Sequence, residues 1–244
     1  MLFRSASYRG YFGEADAQAH ADSLAAQGMD VYVGGVAAYS TLGWLNDPVL
    51  STFIHRDEPR LADLVFHELA HQVLYVADDT VFNESFATAV AREGVRRWME
   101  SRRDSEGYQR YQRYKSQQGE FVDLITDLRT RLVPVYDSAA DSEQKRERKR
   151  DEIARMRNEY EALKQFWGGD DVYDNWIYSE INNAKLNSVS AYHDLVPAFT
   201  RMLKQSQSLE EFYQRCRELA EADAEERLRQ LTRFQHPTLA NQEG

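Results

Sequence analysis

Apolar residues recur at intervals of three and four over much of the second half of the chain, which is the period of an α-helix. One stripe consists of Phe121, Leu124, Ile125, Leu128 and Leu132. A second stripe has the 3-4-3-4 spacing of a coiled-coil seam and consists of Ile153, Met156, Tyr160, Leu163 and Trp167. Pro134 interrupts the pattern between them and indicates a turn. Residues 104–167 are therefore predicted to form a long antiparallel helical hairpin.

Two further helical patterns precede the hairpin. The segment from Arg60 to Val76 is apolar almost all round, and Asp57-Glu58-Pro59 before it suits a helix N-terminus. Asp78-Asp79 ends this segment, and Asn83 is predicted to start a second helix that runs to about Glu100. A helix with apolar residues on all its faces is expected to be buried.

The first fifty residues mix helical and extended patterns. Glu14 to Gln27 predicts a short helix, with Gly28 as its C-cap residue. Val31-Tyr32-Val33 is β-branched and aromatic and predicts a strand, and Val36 to Leu42 predicts a second extended piece. The predicted fold class is therefore α+β, predominantly helical, with a small sheet.

Changes in composition along the chain suggest three domains. Residues 1–103 form a core, residues 104–167 form the hairpin, and residues 168–244 form a C-terminal helical region that completes the core domain. The second boundary is marked by the break Gly168-Gly169-Asp170-Asp171.

The charge balance narrows the range of partners. The 244 residues carry a net charge of −10, and an acidic surface repels phosphate backbones, so nucleic acid is not an expected partner. The basic run over residues 145–150 is interpreted as a solvated helix face, with a binding patch as the alternative. The one cysteine, Cys216, excludes an intramolecular disulfide and a metal site built from cysteines.

The start of the chain bears on its location. No apolar run approaches the roughly 20 residues that span a bilayer, so no transmembrane segment is predicted. Met1 to Gly10 lacks the apolar region of a signal peptide. Tyr8-Arg9-Gly10-Tyr11-Phe12 has the pattern of a strand already in progress, so we expect that the natural start is missing. A cytosolic protein is the alternative.

The candidate chemistry lies in the first apolar helix, at His67-Glu68-Leu69-Ala70-His71. Residues four apart lie on one helix face, so both imidazoles can reach a single ion. Glu68 is rotated by about 100° from His67 and lies at the edge of that site. This is the His-Glu-x-x-His arrangement of zinc hydrolases. The alternative is a pair of core histidines bound to backbone carbonyls.

A catalytic zinc takes three protein ligands and a water, so two histidines are not enough. Glu84 is the candidate third ligand, because a second helix packed antiparallel to the first would bring it alongside His67 and His71. The alternative for Glu84 is charge complementarity at a helix N-terminus. Thr88, one turn further on, could hydrogen-bond a ligating histidine, or could be an ordinary helix threonine.

These motifs resemble those of the gluzincin metallopeptidases, in which an Asn-Glu-x-x-Ala segment supplies the third zinc ligand. Here that segment is Asn83-Glu84-Ser85-Phe86-Ala87, twelve residues beyond His71. This spacing is shorter than in the gluzincin aminopeptidases, so it requires a tight connection at about residues 78–81. The resemblance implies that residues 1–103 are a zincin-like core.

A closer resemblance is to a bacterial family of predicted aminopeptidases, many of them lipoproteins. It extends over nearly the whole chain and rests on Tyr8 to Phe12, Val31 to Val36, Ala38 to Trp44, Phe66 to Gln72, Phe82 to Ala87, Asn182 to Leu186 and Tyr192-His193. Members of that family have a further N-terminal portion with a lipoprotein signal. The resemblance implies a location in the cell envelope or periplasm.

The function hypothesis is zinc-dependent hydrolysis of peptide bonds, as an aminopeptidase, by Glu-assisted attack of a zinc-bound water. Zn²⁺ would be held by His67, His71 and Glu84, and Glu68 would be the general base. Gluzincins often use a later tyrosine or histidine to stabilise the oxyanion, which makes Tyr192 and His193 candidates. Aromatic packing for Tyr192 and a surface position for His193 are the alternatives.

Other readings of the same residues remain open. The segment from Gly34 to Trp44 could form an extended edge that binds a peptide substrate, or its glycines could simply be turn residues. The metal site could serve another zinc hydrolase, such as a cell-wall amidase. It could also belong to a scaffolding or binding protein of the cell envelope, whose working surface would be the helical hairpin.

Overall fold

The computed structural model describes residues 9–35, 57–190 and 195–235. Its ten helices are α1 (Glu14–Ala25), α2 (Glu58–Val73), α3 (Thr80–Ser101), α4 (Ser105–Asp137), α5 (Ser142–Phe166), α6 (Asp174–Tyr178), α7 (Asn183–Ser190), α8 (Val196–Gln205), α9 (Leu209–Glu221) and α10 (Ala224–Gln235). The prediction of a predominantly helical protein is confirmed. No helix in this part of the chain is both long and apolar enough to cross a membrane.

The predicted small sheet, and with it the zincin-like α+β core, is wrong, because the described ranges contain no strand. Val31-Tyr32-Val33 is irregular, and the Val31 carbonyl accepts a hydrogen bond of 2.7 Å from the side chain of Asn182. Tyr32 and Val33 are exposed. β-Branched and aromatic residues favour a strand only where a neighbouring strand pairs with them. The second predicted piece, Val36 to Leu42, lies outside the described residues.

The chain divides into two compact units, each made of two stretches. One unit comprises Met1–Gly35 and Arg113–Ser190, and is called the hairpin unit below. The other comprises Val36–Gln112 and Ala191–Gly244, and is called the metal unit. The division between them falls inside α4.

Helices α2 and α3 pack against each other and form the centre of the metal unit. Helix α3 also packs on α8, which contacts α9 and α10. The core between them is largely aromatic, with Phe82 and Phe86 of α3 against Phe199 and Phe212, all fully buried. A second cluster, formed by Ala62, Val95, Met99 and Tyr111, joins α2 and α3 to the start of α4. Helix α3 is thus fixed on two sides.

Helices α4 and α5 contain the two apolar stripes. The residues of these stripes pack against α6 and α7 and form the core of the hairpin unit. Arg131 of α4 ion-pairs with Glu152 and Glu159 of α5 at 2.7 and 3.0 Å. Pro134 does not form the turn, because α4 continues through it to Asp137. The turn consists of residues 138–141, where the Asp141 carboxylate caps α5 by accepting two backbone hydrogen bonds.

Candidate metal centre

His67 and His71 lie one turn apart on α2, with their rings at 82° and their Nε2 atoms 3.2 Å apart. The side chain of His71 is 8% exposed and that of His67 is 22% exposed. The i, i+4 spacing therefore directs both Nε2 atoms to one point that is open to solvent on one side.

Glu84, in the second turn of α3, brings its carboxylate to the same point. Its Oε2 lies 3.1 Å from His67 Nε2, and its Oε1 lies 3.7 Å from His71 Nε2. One ligand atom from each of the three residues lies within 4.8 Å of the others, so the group could hold a metal ion. Ligand atoms about 2.0–2.2 Å from a tetrahedral ion are themselves about 3.3–3.6 Å apart, and the observed spacings fall around that range.

The chemistry of the three groups also fits a metal ion. A neutral imidazole nitrogen carries either a proton or a lone pair, so His67 Nε2 cannot donate to Glu84 and also accept from His71. A cation at the common point would accept a lone pair from each of the three residues. The donor set of two nitrogens and a carboxylate oxygen is one that zinc and related transition metals use.

The surroundings of His71 favour the protonation state that binds metals. Burial lowers the pKa of His71, the neighbouring His67 ring lowers it further, and the Glu84 carboxylate opposes both effects. The neutral ring, which coordinates metals, is therefore favoured. His71 Nδ1 is buried, and no hydrogen-bond partner for it exists among the described residues.

The loop between the two helices is closed by Asn83, the residue before Glu84. Its side chain donates to the Val76 carbonyl at 2.7 Å and accepts from the Val76 backbone N–H at 2.8 Å. Asn83 is 2% exposed, so both bonds are shielded from water. They pair the N–H of Val76 and add to the 3.4 Å hydrogen bond that its carbonyl accepts from the Asp79 N–H, so they hold the loop beside Glu84.

The prediction that the second helix starts at Asn83 is wrong by three residues, because α3 begins at Thr80. The N-cap is Asp79, whose carboxylate accepts from the Phe82 backbone N–H at 3.0 Å. The same carboxylate accepts a charged hydrogen bond of 2.9 Å from Arg227 of α10. The guanidinium of Arg227 also donates to three backbone carbonyls at the end of α9. Arg227 is 5% exposed. It therefore ties the start of α3 to the C-terminal helices of the metal unit.

Arg227 was not predicted as a site residue, and neither was a second hydrogen bond, which holds α2 in place. The Tyr111 hydroxyl of α4 donates to Asp63, one turn before His67, at 2.6 Å. Burial raises the pKa of Tyr111, and the Asp63 carboxylate raises it further, so the hydroxyl keeps its proton. No local pattern indicates either contact, since the partners are 148 and 48 residues apart in sequence.

Of the other predicted site residues, the structure describes two and does not describe the rest. Glu68 follows His67 on α2 and is partly exposed, and Thr88 is 6% exposed on α3. Tyr192 and His193 lie outside the described ranges, as does the stretch from Val36 to Trp44. Their roles stay predictions.

Two packed helices that bring two histidines and a glutamate together define a helical protein with a site suited to a metal ion. The model of the family described as "Putative aminopeptidase" matches residues 3–231. The chain belongs to that family, whose description indicates a peptidase. A comparison with curated proteins finds no match, and a comparison with solved structures finds none either.

Proposed function

We propose that the protein is a zinc-dependent aminopeptidase whose metal ligands are His67, His71 and Glu84. The observation that carries the proposal is the approach of these three side chains to one point. Membership of the aminopeptidase family supports the reaction class. Zinc is proposed because two imidazoles and one carboxylate are the protein ligands of many catalytic zinc sites, which keep a further position open.

Zinc bound by these residues would lower the pKa of a water molecule and polarise the scissile carbonyl. The Glu68 carboxylate then accepts a proton from the attacking water and delivers it to the leaving amine. Its position beside His67 suits this role, because it lies on α2 next to a ligand and remains partly exposed to an entering substrate. Tyr192 and His193 are the proposed donors to the oxyanion.

The first experiment tests whether Glu68 acts as the general base and not as a zinc ligand. Purified wild type is dialysed against zinc, its metal content is measured, and hydrolysis is followed on peptides with free or acetylated N-termini. Glu68→Gln should retain zinc and lose a factor of about 10²–10⁴ in kcat, which is typical for loss of a general base. Glu58→Gln is the matched control, since it makes the same change at an exposed position of the same helix. Equal activity of Glu68→Gln and wild type would refute the mechanism.

The second test addresses the ligands. His67→Ala, His71→Ala and Glu84→Gln should each lose stoichiometric zinc, whereas His20→Ala, which changes a histidine of α1, should retain it. Wild type that takes up no zinc would overturn the site. Activity on free but not on acetylated N-termini would support an aminopeptidase. A zinc-loaded protein that cleaves cell-wall peptides but no ordinary peptide would favour the amidase alternative.

A further inference from the structure

A cavity of about 400 Å³ lies at the turn of the hairpin, within the hairpin unit. It is lined by Tyr136, Ser142, Lys145, Arg146, Lys149 and Asn183. These residues come from the end of α4, the first two turns of α5 and the start of α7. The lining therefore combines three cationic side chains with hydroxyl and amide groups, and it contains no carboxylate.

The two lysines have unused hydrogen-bonding capacity. They are four residues apart on α5 and so project from the same face. The Lys145 ammonium donates to the Tyr136 carbonyl at 2.8 Å, and the Lys149 ammonium donates to Asn183 Oδ1 at 3.0 Å. Each ammonium has three donors, and both acceptors are neutral. In the part of the chain that is described, no carboxylate lies within ion-pair distance of either ammonium.

Asn183 adds further donors to the lining. Its Oδ1 accepts from both the Tyr136 hydroxyl, at 2.7 Å, and Lys149, and this fixes which end of the amide is the oxygen. The two hydrogens on Nδ2 have no acceptor among the described residues. The backbone N–H of Asn183 donates to Asp30 at 3.0 Å, which anchors the start of α7.

The local electrostatics favour a negatively charged ligand. Burial lowers the pKa of Lys149, and the carboxylates of Asp30 and Glu180 oppose this only in part. The ammonium has thus lost hydration without gaining an ion pair. Among the described residues, Arg146 ion-pairs with Glu143 alone, at 3.4 Å, and both side chains are mostly exposed.

We propose that this cavity binds a phosphoryl group, held by Lys145, Lys149, Arg146 and the Asn183 amide. A phosphoryl group presents several acceptor oxygens to donors that arrive from different elements, whereas a cation would meet the three positive charges of Lys145, Arg146 and Lys149. The source of the group is either free phosphate or the headgroup of an anionic phospholipid. The site lies in the hairpin unit, so it is independent of the proposed peptidase activity.

Calorimetric titration of inorganic phosphate into the full chain at low salt tests the proposal. Lys149→Gln and Lys145→Gln should each weaken the Kd about tenfold or more, because each removes a charged donor. Lys149→Arg keeps the charge and should bind within a few-fold of wild type. Arg148→Gln makes the same change in net charge at an exposed position of α5 outside the cavity and should bind like wild type. All variants are compared in one metal state, since phosphate can also bind a metal ion.

Co-sedimentation with vesicles distinguishes the two sources. If the ligand is a lipid headgroup, the chain should bind vesicles of phosphatidic acid but not of phosphatidylcholine, and Lys149→Gln should lose that binding while Arg148→Gln keeps it. If the ligand is free phosphate, only the titration should respond. Binding of neither probe, or equal weakening by Lys149→Gln and Arg148→Gln, would overturn the proposal in favour of a solvated basic face.

Discussion

Gly94 of α3 packs against the ring of Phe66 in α2, the residue before the first histidine of the candidate metal centre. A Cβ added to Gly94 would lie 2.7 Å from Cδ2 and 3.0 Å from Cγ of the Phe66 ring. Cγ is bonded to Cβ and cannot move far by rotation of the ring alone. Gly94→Ala is therefore expected to push α2 away from α3 and to displace His67 from Glu84.

Two opposing effects set the size of the change in stability. Alanine in a helix interior is favoured over glycine by about 1 kcal/mol. Overpacking a fitted contact costs about 1–3 kcal/mol, and contact with the base of a ring is at the upper part of that range. The net expectation is a loss of about 1 kcal/mol in the free energy of unfolding. The affinity for zinc should fall as well, because the displaced residue adjoins a ligand.

A double-mutant cycle isolates the contact. In a Phe66→Ala background the clash is absent, so Gly94→Ala should stabilise the protein by about 1 kcal/mol and the sign of its effect should reverse. The coupling energy is then about 2 kcal/mol, measured by urea unfolding of the four proteins. Gly119→Ala in α4 is a control, since nothing lies within 4 Å of its added Cβ, and it should stabilise. A Gly94→Ala protein that is more stable than wild type would refute the reasoning.

Three further predictions concern groups in the metal unit. Asn83→Ala should lower the free energy of unfolding in urea by about 1–2 kcal/mol, because the partly buried Val76 N–H loses its acceptor and the Val76 carbonyl keeps only the 3.4 Å bond from the Asp79 N–H. A loss below about 0.5 kcal/mol would contradict this role. Cys216 is fully buried, and this burial raises the pKa of its thiol. Iodoacetamide should therefore modify Cys216 at pH 8 only after the protein unfolds, and rapid modification of the native protein would contradict this. Hydrogen bonding to Arg96 is the main cause that lowers the pKa of Glu93, so the stability it contributes is present above the ordinary glutamate pKa of 4.5 and is lost as the pH falls through the lowered value. The urea midpoints of wild type and Glu93→Gln should therefore differ at pH 7 and converge as the pH falls below 4.5, and a constant difference would count against the ion pair.

The helices could be predicted because their signals are local. The apolar stripes of α4 and α5 and the apolar segment of α2 have helical periods that tertiary contacts only reinforce. The pairing of Glu84 with the two histidines also follows from sequence, because two helices joined by a short loop must pack antiparallel. The three side chains then share one face of the pair. The errors at helix ends have the same local origin, since Asp79 and Asn83 are both good N-cap residues and only the structure distinguishes them.

Whether a sheet forms could not be predicted from the sequence, because a strand needs a neighbouring strand that the local sequence does not specify. Val31-Tyr32-Val33 has strand propensity, yet its Val31 carbonyl bonds to Asn182, 151 residues away. The same limit applies to Arg227 and Tyr111, whose partners Asp79 and Asp63 are 148 and 48 residues away in sequence. Charge alone did not identify the cavity at the hairpin turn either, since only the structure places Asn183 beside Lys149.

These long-range contacts explain why the candidate metal centre depends on the whole metal unit and not on its motif alone. The His-Glu-x-x-His helix supplies two ligands by its own geometry. The third ligand is positioned by Asn83 and by the Asp79 cap, and Arg227 of α10 in turn holds that cap in place. A motif without that frame would place two imidazoles on a helix and leave Glu84 unconstrained. The match to the aminopeptidase family runs from residue 3 to residue 231 and so includes Arg227. The frame that orients the ligands therefore lies within the same segment as the ligands themselves.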